Sequence, residues 1–470
     1  MKRRGAVLLF AVVAAVGLYT VPAGATGRHH HDGVLVVDNQ PHHRRSCLGT
    51  RDPFATIQGA VDAAAANDTA GDTIRVCPGT YRETVKVEEP DLTLLGANAG
   101  RDATRHGRGR ESVVAGVAGT MVPGLVQLLA DDVTWDGFKI LGAPGAQNNP
   151  PGMYTSPAHS GYLIRDTIFQ DNGHGLHLGA SGSHPTLVCR NRFVANNEFE
   201  GATGAFGIYS NEGARQVLIT SNRFERHNSA AIFLADEGTQ PRQRDLLIEH
   251  NKSVDDLSFA TIFNSTRVRL TSNWIQARVG DTQFPGPASA IFIGARNDDI
   301  IVQKNKITSA SGNGIDLSNT GGNGSAGPAP TNLVVRKNKV AHTGFAGIEV
   351  SATGDGQYQV LANHSRDNTM FGIHFAPTTT GGKVTGNTAL DNGQFDCRDQ
   401  STGPANTWTG NIGRTANPLS ICAAPTVDHH AGKGHDKKKH TKKHKKHHKK
   451  TKKQKQHRPD PCECTLPWRF

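Results

Sequence analysis

An asparagine returns at one place in a short apolar pattern through the middle of this chain, and no other feature restricts its fold so much. The pattern reads Leu187-Val-Cys-Arg-Asn191, Leu218-Ile-Thr-Ser-Asn222, Leu247-Ile-Glu-His-Asn251, Leu270-Thr-Ser-Asn273, Ile301-Val-Gln-Lys-Asn305, Val334-Val-Arg-Lys-Asn338, Val360-Leu-Ala-Asn363 and Val384-Thr-Gly-Asn387. Asp166, in Leu163-Ile-Arg-Asp166, is read into the same slot. The spacing runs from 22 residues (Asn251 to Asn273) to 33 (Asn305 to Asn338), as expected where some turns carry inserts. Repeats of this length form solenoids.

Ten residues after the slot stands an apolar residue, usually behind a small one: Gly175-Leu176, Ala231-Ile232, Gly314-Ile315, Gly347-Ile348 and Gly372-Ile373. Each unit thus holds two short alternating apolar runs between turns rich in Asn, Gly, Asp and Ser. Alternation with period two is strand chemistry, and no helical period is sustained within the repeats. Such strands bury their inner faces only by stacking rung on rung, which gives an all-β parallel β-helix solenoid. An Asn at one turn of every rung can hydrogen-bond the neighbouring turn through its amide, so the series is structural and receives no catalytic role.

With these residues in view, the chain resembles the right-handed parallel β-helix proteins of the pectin-lyase-like superfamily, of the secreted bacterial repeat type, from about Asp32 to Cys422. The opening segment carries the resemblance best: Ala55-Thr-Ile-Gln58-Gly-Ala-Val61-Asp-Ala-Ala, Gly71-Asp72-Thr73-Ile74, Cys77-Pro78-Gly79-Thr80-Tyr81 and Leu92-Thr-Leu-Leu95-Gly96. In that family it implies a short N-terminal capping helix, a first strand, a Pro-Gly turn and a second rung. Read directly, Asp52 caps a helix whose first position is Pro53, with Ile57, Val61 and Ala64 on one face. The pattern specifies a fold and leaves the reaction open.

Four segments are expected. Residues 1–25 form a signal peptide, with Lys2, Arg3 and Arg4 before an apolar run and Ala23-Gly24-Ala25 as the cleavage site, so the protein is secreted or associated with the cell envelope. No later apolar run is long enough to span a membrane. Residues 26–425 form one rod of roughly twelve rungs, on the order of 60 Å long. Residues 426–460 are a disordered basic tail: 13 Lys and one Arg against two Asp give +12 between Asp428 and Arg458, compared with +11 for the whole chain, which leaves the rod near neutral. That tail suits an anionic cell-envelope polymer. It lacks interleaved aromatics, so nucleic acid is not the expected partner, and its eight His lack the spacing of a defined metal site. Residues 461–470 hold Cys462 and Cys464, suited to an intermolecular bond. Of the seven cysteines, Cys47 is paired with Cys77 and Cys397 with Cys422, while Cys189 is read as a lone packed thiol.

Strand side chains alternate, so the residue after each inward apolar one faces out. That slot holds His177, Phe233, Asp316, Glu349 and His374, with Tyr209 and Phe292 after longer inserts. Asp316, Glu349 and His374 fall on consecutive rungs, about 5 Å apart, near the spacing of paired carboxylates in a retaining glycosidase. Stacked carboxylates repel, which favours a protonated acid beside an ionised partner, and His374 can join the proton transfer. His177 and Tyr209 make a second candidate pair, suited as base and acid to a uronate lyase or epimerase, a chemistry that also needs a cation such as Ca²⁺ on the sugar carboxylate.

His174, in Asp171-Asn-Gly-His174-Gly-Leu-His177, lies in a Gly-His-Gly trio that resembles a motif of the polygalacturonases. The accompanying Asn-Thr-Asp, Asp-Asp and Arg-Ile-Lys motifs do not stand in order, and no such activity is carried over. His174, Phe233 and Phe292 are expected to bind substrate, since sugar rings stack on exposed aromatics. The inserts Ala195–Ala205, Arg278–Ala288 and Asn319–Thr331 are expected to wall a groove. The expected partner is an extracellular, acidic polysaccharide, bound and cleaved or epimerised; the alternative is a non-catalytic surface adhesin or spacer held by the tail. Phosphoryl transfer lacks its Gly-rich loop.

Overall fold

The computed structural model describes residues 33–426, apart from 41–44, 67–71, 117–122, 144–149, 198–204, 236–242, 280–287, 322–326, 355–356 and 403–405. The signal peptide, the basic tail and the Cys462/Cys464 peptide lie outside the described residues, as do most of the expected groove walls Ala195–Ala205 and Arg278–Ala288 and part of Asn319–Thr331.

The chain coils into three parallel sheets of 14, 13 and 12 strands, and each coil visits all three. One coil runs Leu163–Arg165, Ile168–Gln170 and His174–His177, then returns at Thr186–Cys189 directly beside Leu163–Arg165. The sequence reading found two strands per coil. The one it missed, in the 12-stranded sheet, is two to four residues long and sends as little as one side chain inward, such as Phe193 or Phe224, too few to alternate visibly.

Inside, like stacks on like. Phe169, Phe193 and Phe224 stack at ring-centroid separations of 4.7 and 4.9 Å, and Leu176, Ile208 and Ile232 are fully buried in successive coils. Glycine before the inward residue lets coils approach: a Cβ on Gly175 would sit 2.5 Å from the Gly207 carbonyl oxygen and 2.7 Å from the Phe193 ring.

The repeated asparagine sits at the turn between the 14- and 12-stranded sheets. Asn273 is typical. Its Oδ1 accepts from the Asn251 backbone N–H at 3.0 Å, and its Nδ2 donates to the Ile248 carbonyl at 2.9 Å and to Asn305 Oδ1 at 3.0 Å. The ladder runs from Asn191 to Asn387 as expected and continues to Asn411. Asp166 is not its first member. Leu163 pairs with Leu187, so the slot falls on Thr167, whose N–H donates to Asn191 Oδ1. Asp166 holds the preceding position, at φ 52°, where Arg190, Ser221, His250, Lys304 and Lys337 also take the left-handed turn, and its carboxylate receives the Arg190 guanidinium.

Helix α1 spans Ile57–Ala65 and buries Ile57, Ala60, Val61 and Ala64 against the first coil. It begins later than expected. Asp52 takes a left-handed turn, and the cap is Thr56, whose hydroxyl accepts from Gly59 N–H. Glu83 reaches across from the first coil to accept from the Ile57 and Gln58 N–H groups, placing a carboxylate at the positive end of the helix. Both expected disulfides form, Cys47–Cys77 beside this cap and Cys397–Cys422 at the far end. Cys189 is also disulfide-bonded, so it is not the lone thiol expected from its apolar neighbours. Disulfides fit an oxidising compartment. Among the described residues no helix is long and apolar enough to cross a membrane.

Candidate functional site on the outward column

Register in the 13-stranded sheet places Tyr154, His177, Tyr209, Phe233, Thr261, Phe292, Asp316, Glu349, His374 and Arg398 in one outward column. All seven residues assigned from sequence to this slot lie in it. The column has two halves.

The upstream half is aromatic. His177 lies 5.3 Å from Tyr154 and 5.1 Å from Tyr209, ring centre to ring centre, and Tyr209 lies 5.9 Å from Phe233. Phe263 bridges Phe233 to Phe292 at 5.9 and 5.6 Å. His177 and Tyr209 are neighbours, as the second candidate pair requires. Yet His177 Nε2 is engaged by Asn211 Oδ1 at 2.9 Å, and burial pulls the imidazole below its ordinary pKa. Tyr154 donates to Glu212 at 2.9 Å, and burial with that carboxylate raises its pKa. His174 belongs to a parallel column. It lies against the Phe206 and Tyr209 rings at 5.2 and 5.0 Å and is only 6% exposed, so it supports the aromatic row from beneath and does not offer the open sugar contact expected of it. Burial, with His177 nearby, pushes its pKa down to about 3, which keeps it neutral.

The downstream half is ionisable. Asp316 Oδ2 accepts from Ser289 Oγ at 3.0 Å and Asn313 Nδ2 at 2.9 Å, while its buried Oδ1 has no partner. Burial raises the Asp316 pKa to about 6; Asn313 and Ser289 oppose the rise and Glu349 adds to it. Glu349 turns the other way: its Oε2 lies 2.7 Å from His374 Nδ1, and His374 Nε2 lies 2.8 Å from Gln400 Oε1. The two carboxylates thus stand on adjacent strands, each held from its far side. Arg398, one coil further, spreads over the Phe371 and Phe395 rings at 4.8 and 5.6 Å, and its Nε has no partner.

Sequence reasoning missed Tyr154 and Arg398, although each had a signal. Gly152-Met-Tyr154 repeats the Gly-apolar-outward pattern of Gly175-Leu-His177, and Arg398 follows Cys397, which stands ten residues after Asn387, at the offset of the inward apolar residues. Ser289 and Asn313 stand three residues before Phe292 and Asp316, the offset of His174 from His177, while Gln400 lies beyond the end of its strand. Among the described residues one group has metal-ligand spacing, Asp38 with Cys47 and Cys77, and both of its sulfurs are joined in a disulfide. Among the described residues no other group of three or more His, Cys, Asp or Glu has the spacing to hold the Ca²⁺ considered from sequence.

A family model described as a right-handed beta helix region matches residues 152–329, the coils that carry the aromatic half and Asp316. The chain's fold is a right-handed parallel β-helix. No curated protein matches its sequence. Among solved structures, this β-helix is similar to the A-module of a mannuronan C-5 epimerase from Azotobacter vinelandii, with 16% identity over 76% of this chain and 88% of that one at a TM-score of 0.45. It is also similar to the catalytic unit of an alpha-1,3-glucanase from Streptomyces thermodiastaticus, with 15% identity over 83% and 71% at 0.42. A third is a tailspike protein of an E. coli bacteriophage, with 13% identity over 79% and 65% at 0.43.

Proposed function

We propose that this β-helix is an exported protein that binds a linear extracellular polysaccharide along the outward column and hydrolyses it between Asp316 and Glu349. One observation carries the reading: a single register-locked column joins an aromatic half, suited to sugar rings, to a carboxylate pair whose members are held by different partners. Asp316, with Oδ2 fixed by two donors, keeps a proton on the unpartnered Oδ1 up to about pH 6 and delivers it to the glycosidic oxygen. Glu349, held against His374, presents its carboxylate to the anomeric carbon. Adjacent strands lie about 4.8 Å apart, close to the roughly 5–5.5 Å between carboxyl groups in retaining enzymes. Arg398 would meet a sugar carboxylate two coils beyond Glu349, which favours an acidic chain.

The test is to incubate the mature protein with pectic, alginate-like, glycosaminoglycan and neutral glycans and to read new reducing ends by mass spectrometry. Hydrolysis should fall as pH rises through about 6, because the acid must be protonated. Unsaturated or epimerised products would move the chemistry to His177 and Tyr209. Binding without any product would leave the adhesin.

A further inference from the structure

The rod is near neutral overall, but one file of its cations runs along a single edge. The residue after each ladder asparagine opens a strand of the 12-stranded sheet and faces outward. In register these residues are Arg192, Arg223, Lys252, Trp274, Lys306, Lys339 and His364. The left-handed residue before the asparagine adds His250, Lys304 and Lys337 alongside. The file spans six coil spacings of about 4.8 Å, on the order of 30 Å.

Like charges stacked on adjacent strands repel each other. At Arg192 and Arg223 the repulsion is offset, because both guanidinium groups close on Glu225. Further along it is not. Lys252, Lys304, Lys306, Lys337 and Lys339 are all exposed, and among the described residues none forms an ion pair. Lys252 lies over the Trp274 ring at 4.7 Å.

The upstream end of this edge opens into a cavity of about 800 Å³ beneath the loop at residues 97–111. The loop is tied down by Ala103 N–H to the Arg190 carbonyl at 3.1 Å and by Arg108 to the Asp166 carbonyl at 2.7 Å. Its Arg105 and Arg108 are matched by Asp102 and Glu111, whereas Arg101 faces Lys252 across the cavity without a carboxylate partner among the described residues.

We propose that this edge is a second binding track, separate from the outward column, that takes a linear acidic polysaccharide bearing uronate or sulfate groups, with the cavity receiving one end. Apart from the coil that places Trp274 there, its cations recur coil by coil from Arg192 to Lys339, at about the length of a sugar residue, and an anionic chain would relieve the repulsion that the fold leaves uncompensated between the lysines. Trp274 is its one aromatic and is already covered by Lys252, so the edge offers no platform on which bases could stack.

The test is lysine acetylation of the full mature chain read by mass spectrometry at low ionic strength, alone and with polygalacturonate, heparin, dextran or single-stranded DNA. With either acidic glycan the five lysines should react at least about fivefold more slowly, Lys383 on the 14-stranded sheet should be unaffected, and 1 M salt should abolish the difference. Polygalacturonate and heparin separate carboxylate from sulfate recognition; dextran should protect nothing. Unchanged labelling with both acidic glycans would overturn the proposal, as would protection by DNA alone. In Lys306→Gln with Lys339→Gln, protection of Lys252 and Lys304 should fall while turnover at the column stays constant. Loss of turnover together with protection would merge the two tracks and refute their separation.

Discussion

The ladder turn and the outward column are both files of one residue per coil, yet they are built on opposite rules. The ladder repeats asparagine, and each amide is used up on its neighbours: Asn305 accepts from Asn273 and donates to Leu270 and Asn338. The column changes residue at almost every coil and leaves polar atoms over, Asp316 Oδ1 and Arg398 Nε among them. In a solenoid the backbone pairs itself, so a position that repeats is serving the coil above and below it. A position that varies within a fixed register is free to serve something outside.

The sharpest way to break this contrast is Asn273→Ala. It strands the Asn251 N–H and the Ile248 carbonyl in the interior and should cost about 3 kcal/mol or more, read as a lower urea midpoint. A midpoint near wild type would reduce the ladder to decoration. Glu349→Gln should do the reverse, lowering kcat by about 100-fold or more with the urea midpoint little changed. Retained turnover would remove Glu349 from the chemistry. Phe233→Ala should weaken glycan binding by roughly fivefold to tenfold without changing kcat, measured by affinity electrophoresis. The smallest effect belongs to Asp316→Asn. In the unfolded chain Asp316 ionises near 3.8 and in the fold near 6, so the cost of an ionised buried carboxylate grows between those values and is complete above them. The amide should therefore raise Tm by roughly 2 °C at pH 8 and leave it unchanged at pH 3. Equal shifts at both pH values would contradict the raised pKa.

What the sequence made legible follows the same division. Coil, register and column could be read because Asn and Gly-apolar pairs recur at fixed offsets, and both end disulfides followed from where Cys47, Cys77, Cys397 and Cys422 fall. Asp166 was misplaced because aspartate imitates asparagine one step early, in a turn where either tolerates a positive φ. The start of α1 was misplaced because Pro53 advertises a helix that Thr56 begins. The Asp316 partners Ser289 and Asn313 sit in the parallel column, whose residue type changes from His174 and Phe206 to Ser289 and Asn313 and so shows no repeat, and Gln400 comes from beyond a strand end. The basic edge escaped because summing charge along the chain averages over a pattern that exists only after coiling places residues 22 to 33 apart side by side.

Helix α1 has a consequence for the company this rod can keep. The strands it packs against, Val34–Val37 and Val85–Val87, are the outermost of their sheets among the described residues, and sheet edges of this kind recruit further strands in cross-β fibrils. With a helix seated over that end, a second rod finds amphipathic side chains in place of a template. The same short element that closes the core therefore also guards a fibril-like architecture against adding strands at this end.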